Sequence, residues 1–465
     1  MGRLTHGETS DPRSTAGRSA CRFSGMISVG QPRQSPRGDT TAPAPGADRL
    51  TFTGLLVGTY LAVYLCQIDL YIRRQGWVLV PAIYFLLATQ AVMALAIWYL
   101  HADQIGRILK ASSGAILAFG GLAGMALVGA ALPEANLSEG GLYVIYPTIN
   151  FLVFLLALPL ASLFASGANW RVACGVSLCA LVMSILVDAR YPGTFSILEA
   201  RAAGFGCNPN RGAELTVILL VGVLNWKKPS LSLVSCGWFL IALVGVFMTL
   251  SRSGILLLGI VGMLYVRLCV RRNGMGAVVL LGGLAFSVGG YALAAADAAK
   301  DILPMLEANH SRANLFNGQL DAMDTTEDSR VILIYDYLGM IAERPLLGWG
   351  TGFNYGQEMG SHNMYLARWV DNGLFGFGAY VLLIGMLYRI GRMHHSWQCT
   401  TVAVFVAADS FFTHNLLEDK SLMLIMGITA GRAVLNAPPP VSAVNAILET
   451  RKTSYAHPQK WAKAG

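Results

Sequence analysis

The feature that most constrains this chain is a series of apolar runs separated by short polar or Gly/Pro-rich breaks. Most runs are about 16 to 25 residues long, which is the length of helix that crosses the hydrocarbon core of a bilayer. Only 13% of the residues are charged, about half the share typical of soluble domains. The sequence therefore predicts an all-α polytopic membrane protein and excludes a soluble globular one.

Twelve membrane spans are predicted from run length and from the breaks between runs. They cover residues 51–71, 77–100, 112–132, 143–167, 170–188, 211–226, 230–250, 253–270, 274–297, 372–390, 398–416 and 420–436. The chain is thus divided into spans 1 to 9 (51–297), a long loop (298–371) and spans 10 to 12 (372–436).

The distribution of Lys and Arg predicts which side each loop faces. The segment before the first span is rich in Arg, and the even-numbered loops hold further Lys and Arg, whereas the third loop has none and the eleventh has only Lys420. By the positive-inside rule both termini and the even-numbered loops are cytoplasmic. Residues 1–50 are predicted to be a disordered cytoplasmic tail, with Met26 as a second candidate start, and residues 437–465 a second cytoplasmic tail. The net charge of +8 is scattered over these loops, which argues against a nucleic-acid partner.

The loop 298–371 is far longer than the others and is predicted to lie on the outer side. Connections longer than about 15 residues are usually functional. Within it, Asp328 and Ser329 precede an amphipathic pattern that ends at Pro345, with apolar residues at 331, 334, 335, 338 and 341. This pattern predicts a capped helix that lies on the membrane surface.

Four arginines are assigned to the outer side, against the topological bias. Arg201 and Arg211 lie in the fifth loop, Arg252 lies in the turn between spans 7 and 8, and Arg330 begins the loop helix. Guanidinium groups suit bidentate phosphate contacts, and a helix N-terminus adds backbone N–H groups. The four together predict a bound polyanion. The alternative is that each arginine reaches lipid headgroups separately.

A second candidate constellation is Ser361-His362-Asn363, just before span 10. A neutral imidazole beside an acceptor hydroxyl can act as a general base, and nearby arginines would lower its pKa. A histidine in such a place can equally be structural. Upstream, Gly348-Trp349-Gly350-Thr351-Gly352 is typical either of backbone amides approaching a phosphate or of a re-entrant turn without a ligand.

Missing motifs narrow the chemistry. The chain has no GxxxxGK[ST] motif, no Asp-x-Asp motif and no cluster of histidines. Nucleotide hydrolysis, a metal-held nucleotide-sugar donor and a metal site are therefore not indicated. We expect no cofactor, and any sugar donor must be activated in another way.

Several motifs resemble the O-antigen ligase and polysaccharide polymerase superfamily of bacterial inner membranes. His362-Asn363, followed after nine residues by Gly373 and after two more by Gly376, fits the ligase pattern. Arg344 to Phe353, Arg201 to Asn210, and Ser251-Arg252-Ser253-Gly254 resemble three further motifs of the family. The matches cover about residues 200 to 380, and their order and spacing carry more weight than any one motif.

The resemblance implies a multi-pass inner-membrane enzyme with its active site facing the periplasm. It would transfer a glycan from undecaprenyl diphosphate to an acceptor sugar hydroxyl, without a metal and with inversion at C1. His362 would activate the acceptor, while Arg211, Arg252 and Arg330 would hold the diphosphate, with Arg201 and Arg211 competing for one role. A supporting role would fall to Asn363, Gly350, Gly352 and Gly373.

The acceptor separates the two activities of this superfamily. A ligase passes the glycan to lipid A-core, whereas an O-antigen or exopolysaccharide polymerase passes it to a second lipid-linked repeat. A transporter or flippase of polysaccharide lipid is an alternative of another class, and it would line a continuous path with polar residues near the midplane. Here the charges gather at the outer ends of spans and in one loop, which favours a transferase.

Overall fold

The computed structural model describes residues 50–77, 80–135, 142–197, 201–273, 326–357 and 360–437, without the side chains of 142–144, 272–273 and 326–332. In these ranges the chain is helical and contains no strand. The α-helices are α1 (Phe52–Leu65), α2 (Ile68–Arg74), α3 (Ala82–Gly129), α4 (Leu142–Leu160), α5 (Ala168–Arg190), α6 (Pro209–Val223), α7 (Leu233–Met248), α8 (Arg252–Asn273), α9 (Thr326–Glu343), α10 (Met364–Met393), α11 (Trp397–Asp409) and α12 (Lys420–Leu435). The predicted ninth span, nearly all of both predicted tails and the first part of the long loop lie outside the described residues.

Several of these helices have the length and composition of membrane spans. Five of the described helical stretches are long and apolar enough to cross a bilayer, and α1 with α2 adds a sixth if the pair, bent by 51°, is one span. The prediction of an all-α membrane protein is confirmed at this level. The twelve-span count and the side of the long loop stay predictions.

Three predicted boundaries differ from the structure. The second and third predicted spans are arms of one helix, α3, interrupted only at His101, which has non-helical backbone angles. The helix that contains the tenth predicted span, α10, begins at Met364 rather than at 372, because Arg368 and Asp371 interrupt the apolar run but are buried in the helix. The helix of the eleventh predicted span, α11, ends at Asp409, and the chain then turns before Asp419 caps α12.

Successive connections meet at two opposite ends of the bundle. The first, here called the Asp419 end, is the end at which the α11–α12 connection lies. Gln67 from the α1–α2 connection and Arg211 at the start of α6 both contact Asp419 there. At the opposite end, Lys227 after α6 binds Asn436 after α12 at 2.9 Å. The starts of α6 and α12 therefore lie at the Asp419 end, and both helices end at the opposite end of the bundle.

The helix α12 packs closely on α4. A Cβ atom added at Gly427 would lie 2.6 Å from the carbonyl oxygen of Phe154, and one at Gly431 would lie 2.5 Å from that of Leu158. Small residues four apart allow such backbone contact between membrane helices. This contact fixes α12, and with it Asp419, against the rest of the bundle.

The helix α10 is broken at Gly373, where φ is 65° and ψ is −164°. The break leaves carbonyl groups of α10 free to bind the preceding loop: Trp349 N–H donates to Val370 at 2.8 Å and Gly350 N–H to Asp371 at 3.0 Å. A Cβ atom at Gly373 would collide with the carbonyl oxygen of Leu346. Gly373 is therefore needed both for the backbone angles and for the space.

We expect Gly373→Ala to destabilise the protein by about 1 to 3 kcal/mol, because this region of backbone angles is almost restricted to glycine and the added methyl group displaces the loop. Thermal unfolding in detergent, followed by tryptophan fluorescence, measures the change. The matched control is Gly378→Ala in the same helix, where a Cβ atom meets nothing within 4 Å. Equal melting temperatures for the two variants would contradict this account of Gly373.

Candidate functional site

Arg201 is held by backbone carbonyls at the end of α7. Its Nε and Nη2 atoms donate to the carbonyl oxygen of Thr249 at 3.2 and 3.0 Å, and Nη2 also lies 3.3 Å from that of Leu250. Cations suit the C-terminal carbonyls of a helix, which carry partial negative charge. Arg201 is therefore largely committed to the protein itself.

Asn210 connects this arginine to the starts of two helices. Its Oδ1 atom accepts from Arg201 Nη2 at 3.1 Å and from the Ser251 hydroxyl at 3.2 Å. Arg211 follows Asn210 at the start of α6, and Arg252 follows Ser251 as the exposed first residue of α8. Three of the four predicted arginines are thus brought into one neighbourhood, with helix N-termini on both sides.

Arg211 is paired with carboxylates at the Asp419 end. Its Nε atom lies 3.4 Å from Asp419 Oδ2, and Glu418 and Glu214 add further negative charge beside it. Asp419 is itself fixed, because it caps α12 by accepting from Ser421 N–H at 2.8 Å and accepts from Gln67 Nε2 at 3.1 Å. The guanidinium is therefore oriented, and a quarter of its side chain stays exposed.

His362 lies on a tight turn just before α10. It is exposed and has a positive φ of 45°, while both of its neighbours are fixed. Ser361 N–H donates to Asn354 Oδ1 at 3.1 Å, and Asn363 caps α10 by accepting from Tyr365 and Leu366. The turn therefore leaves the imidazole exposed, while these hydrogen bonds fix the backbone on both sides of it.

A second histidine, His414, packs edge-on against His362 with their ring centroids 5.3 Å apart. Burial first, and then the charges of His362 and Arg368, lower the pKa of His414 to about 4, so this ring is neutral at pH 7. Its Nδ1 atom has no hydrogen-bond partner among the described residues.

Tyr355 and Glu418 join the histidines to the arginine group. The Tyr355 ring lies 5.3 Å from that of His414, and its hydroxyl donates a hydrogen bond to Glu418 Oε1. Burial is the main cause that raises the pKa of both groups, while Arg211 and Arg368 act in the opposite direction on Glu418. Neither Tyr355 nor Glu418 was predicted from the sequence.

Arg368 and Asp371 are a further pair that sequence reasoning missed. Both are buried in α10, and Arg368 Nη2 lies 3.3 Å from Asp371 Oδ2. The signal that would have found them is an Arg and an Asp three residues apart beside an apolar span, because charges in such places are rarely incidental. Arg368 is thus a buried cation whose charge acts on His414.

The glycine-rich turn at 348–352 does not offer free amides. Besides the two bonds to α10, Thr351 N–H donates to Gly129 at 3.2 Å, and the Asp371 carboxylate accepts from Gly352 N–H and from Asn354 N–H at 2.9 Å. These bonds favour the interpretation as a turn without a ligand. Gly350 and Gly352 support the site by letting this turn dock between α3 and α10.

The helix predicted before Pro345 is present as α9, and it is anchored to the His362 turn. Tyr337 and Ile341 are buried against Val370, and the Tyr337 side chain bonds the backbone of Ser361. Ile334, Tyr335 and Leu338 remain exposed. Arg330 lies in the first part of α9, and its side chain is outside the described residues.

The structure therefore brings together two halves of a site. One half is Arg201, Arg211 and Arg252, and the other is His362 with His414 and Arg368; Glu418 and Tyr355 lie between them. Within the described ranges, no group of three or more His, Cys, Asp or Glu side chains is arranged to hold a metal ion.

The chain was compared with models of known protein families and with curated proteins. Residues 237–381 match a family model described as O-antigen ligase, while no curated protein matches the chain. The matched region runs from α7 into α10 and contains Arg252, Arg330, His362 and Gly373, whereas Arg201 and Arg211 precede it. The match confirms the resemblance drawn from the motifs and places this region of the chain in the O-antigen ligase superfamily.

Proposed function

We propose that the protein is an inverting, metal-independent glycosyltransferase of the O-antigen ligase type. It moves a glycan from undecaprenyl diphosphate to an acceptor sugar hydroxyl at the periplasmic face of the bacterial inner membrane. The observation that carries the proposal is the meeting, at one end of an apolar bundle, of an exposed imidazole and several arginines. The family match at residues 237–381 supports the same class of reaction.

In the proposed step the acceptor hydroxyl attacks C1 of the donor sugar from the face opposite the leaving group. His362 takes the hydroxyl proton while the bond from C1 to the diphosphate oxygen breaks, so the electron pair leaves with the diphosphate. Neutral His414 packs against the His362 ring and limits its rotation.

The leaving diphosphate gains negative charge as the bond breaks. Guanidinium groups that bind more tightly as this charge develops lower the barrier, which is the work a metal ion does in other transferases. We assign this role to Arg211, Arg252 and Arg330. Arg201, which binds carbonyls of α7, instead positions Asn210 and the starts of α6 and α8.

An apolar groove beside the His362 turn suits a polyprenyl chain. A cavity of about 410 Å³ is lined by Ile334 of α9, by Leu366, Phe377 and Val381 of α10, and by Asn363 next to His362. It is almost wholly apolar. A lipid tail lying there would bring its diphosphate towards the turn from the side of the bilayer.

The distribution of buried charge favours transfer over transport. The buried charged side chains of the described residues are Asp69, Asp188, Glu214, Arg368, Asp371, Asp409 and Asp419 near one end and Arg432 near the other. A transporter would place such groups along a path through the midplane. The described residues place no buried charge between these two groups, as expected for a membrane-anchored transferase.

The first test replaces His362 with Asn, which tolerates the positive φ and removes the imidazole. We expect the reaction to slow by about 100- to 10,000-fold, the usual loss for a general base. The assay supplies lipid-diphosphate-linked glycan to reconstituted protein with lipid A-core or with more of the same donor. His101→Asn is the control, because His101 is also an exposed histidine but lies in α3, outside the candidate site.

In this assay the identity of the product shows which acceptor is used, and the activity of the variant shows whether His362 is the base. Modification of lipid A-core makes the enzyme a ligase, and a growing ladder without it makes the enzyme a polymerase. Full activity of His362→Asn would contradict the proposed base, whichever product forms.

The second test distinguishes the role of Arg211 in donor binding from the structural role of Arg201. Arg211→Gln should raise the KM for the lipid-linked donor by about 10-fold or more, because a hydrogen bond to a charged group is lost, whereas Arg201→Gln should mainly lower the melting temperature. Arg211→Lys keeps the charge beside Asp419 and so distinguishes loss of donor binding from loss of fold. Arg190→Gln, an exposed arginine after which α5 ends, is the control. A rise in donor KM for Arg201→Gln but not for Arg211→Gln would reverse the assignment.

A further inference from the structure

A second cavity lies at the end of the bundle opposite the candidate site. It has a volume of about 370 Å³ and is formed where the α4–α5, α6–α7 and α10–α11 connections meet the end of α12. The helix α12 has 16 residues, so at about 1.5 Å per residue it separates this cavity from Asp419 by roughly 24 Å. The cavity is therefore independent of the proposed transferase site.

The lining of this cavity is basic. Arg171, Lys227 and Arg432 line it together with His394 and His395, and no Asp or Glu is among the described residues that line it. Arg432 is only 7% exposed. It is held by a 2.9 Å bond from Nη1 to Gln398 Oε1.

Gln398 is fixed in turn, because its Nε2 atom donates to the carbonyl of Val221 at 3.1 Å. A buried, oriented guanidinium among further cations is suited to a phosphate group.

An apolar groove adjoins the basic cavity. It has a volume of about 780 Å³, shares Arg171 with the cavity, and continues past Val176 and Cys179 of α5 and Trp238 of α7. From Arg171 to Cys179 it follows about two turns of α5. A basic cavity at the mouth of an apolar groove is complementary in shape and chemistry to a phospholipid, which has a phosphate at one end and an acyl chain at the other.

We propose that this end of the bundle binds one anionic phospholipid, with its phosphate in the basic cavity and an acyl chain in the groove between α5 and α7. Basic pockets between membrane helices bind such headgroups. A free phosphate ion shares the headgroup chemistry but makes no use of the groove. The two sources are therefore distinguishable by experiment.

The test measures phosphatidylglycerol bound to the purified full-length protein by native mass spectrometry, with phosphatidylcholine as the neutral comparison. Wild type is expected to retain phosphatidylglycerol selectively. The double variant Arg171→Gln/Lys227→Gln is expected to bind it about 30-fold more weakly, given the usual contribution of each basic residue near an anionic lipid. The matched control is Arg107→Gln/Lys110→Gln, which removes two basic residues from exposed positions of α3. Equal retention by all of these proteins would overturn the proposal.

A second variant keeps every charge and fills the groove. A Cβ atom at Gly175 would lie 3.1 Å from the Trp238 ring, so Gly175→Leu should block the acyl chain and lower phosphatidylglycerol retention. Inorganic phosphate at millimolar concentration should not displace the lipid from wild type. Displacement by phosphate would show that the cavity binds a free anion. Full retention by Gly175→Leu would show that the acyl chain does not lie in the groove, and either result would overturn the proposal.

Discussion

Burial of charge in an apolar bundle is the constraint on which the rest of this structure depends. A buried ion left without its partner costs about 3 to 5 kcal/mol, so a buried charge whose partner lies on another element restricts the position of that element. Asp419 receives Gln67 from the α1–α2 connection and Arg211 from α6, and Arg368 pairs with Asp371 inside α10. The contacts of Asp419 bring connections that are distant in sequence to one end of the bundle, where the candidate site forms.

The family pattern around His362 is explained by backbone geometry as much as by chemistry. Asn363 begins α10 by capping it, and Gly373 breaks the same helix. The break releases carbonyls that bind the glycine-rich turn. The imidazole is one exposed group on a support built by Asn354, Asn363 and Asp371. When the backbone around a side chain is fixed in this way, little conformational entropy remains to be lost as that side chain reaches its reactive position.

Sequence reasoning predicted what depends on composition and local pattern. The membrane class, the helix before Pro345 and the positions of most described helices follow from apolar runs and helix signals. It missed Arg368 and Glu418, because whether a charge near a span end is solvated or buried depends on partners far away in sequence. It also treated Arg201 and Arg211 as equivalent. Only the tertiary contacts separate an arginine bound to the carbonyls of α7 from one beside the carboxylates of the α11–α12 connection.

In the proposed orientation the Asp419 end faces outward as the reaction face, while the basic end faces the cytoplasm. Labelling with a membrane-impermeant maleimide tests this orientation, with His362→Cys and Lys227→Cys placed one at a time in a chain whose eight cysteines are replaced. Both positions are exposed. We expect Cys at 362 to react in intact spheroplasts and Cys at 227 to react only after permeabilisation. Reaction at 227 in intact spheroplasts, with 362 protected, would contradict this orientation.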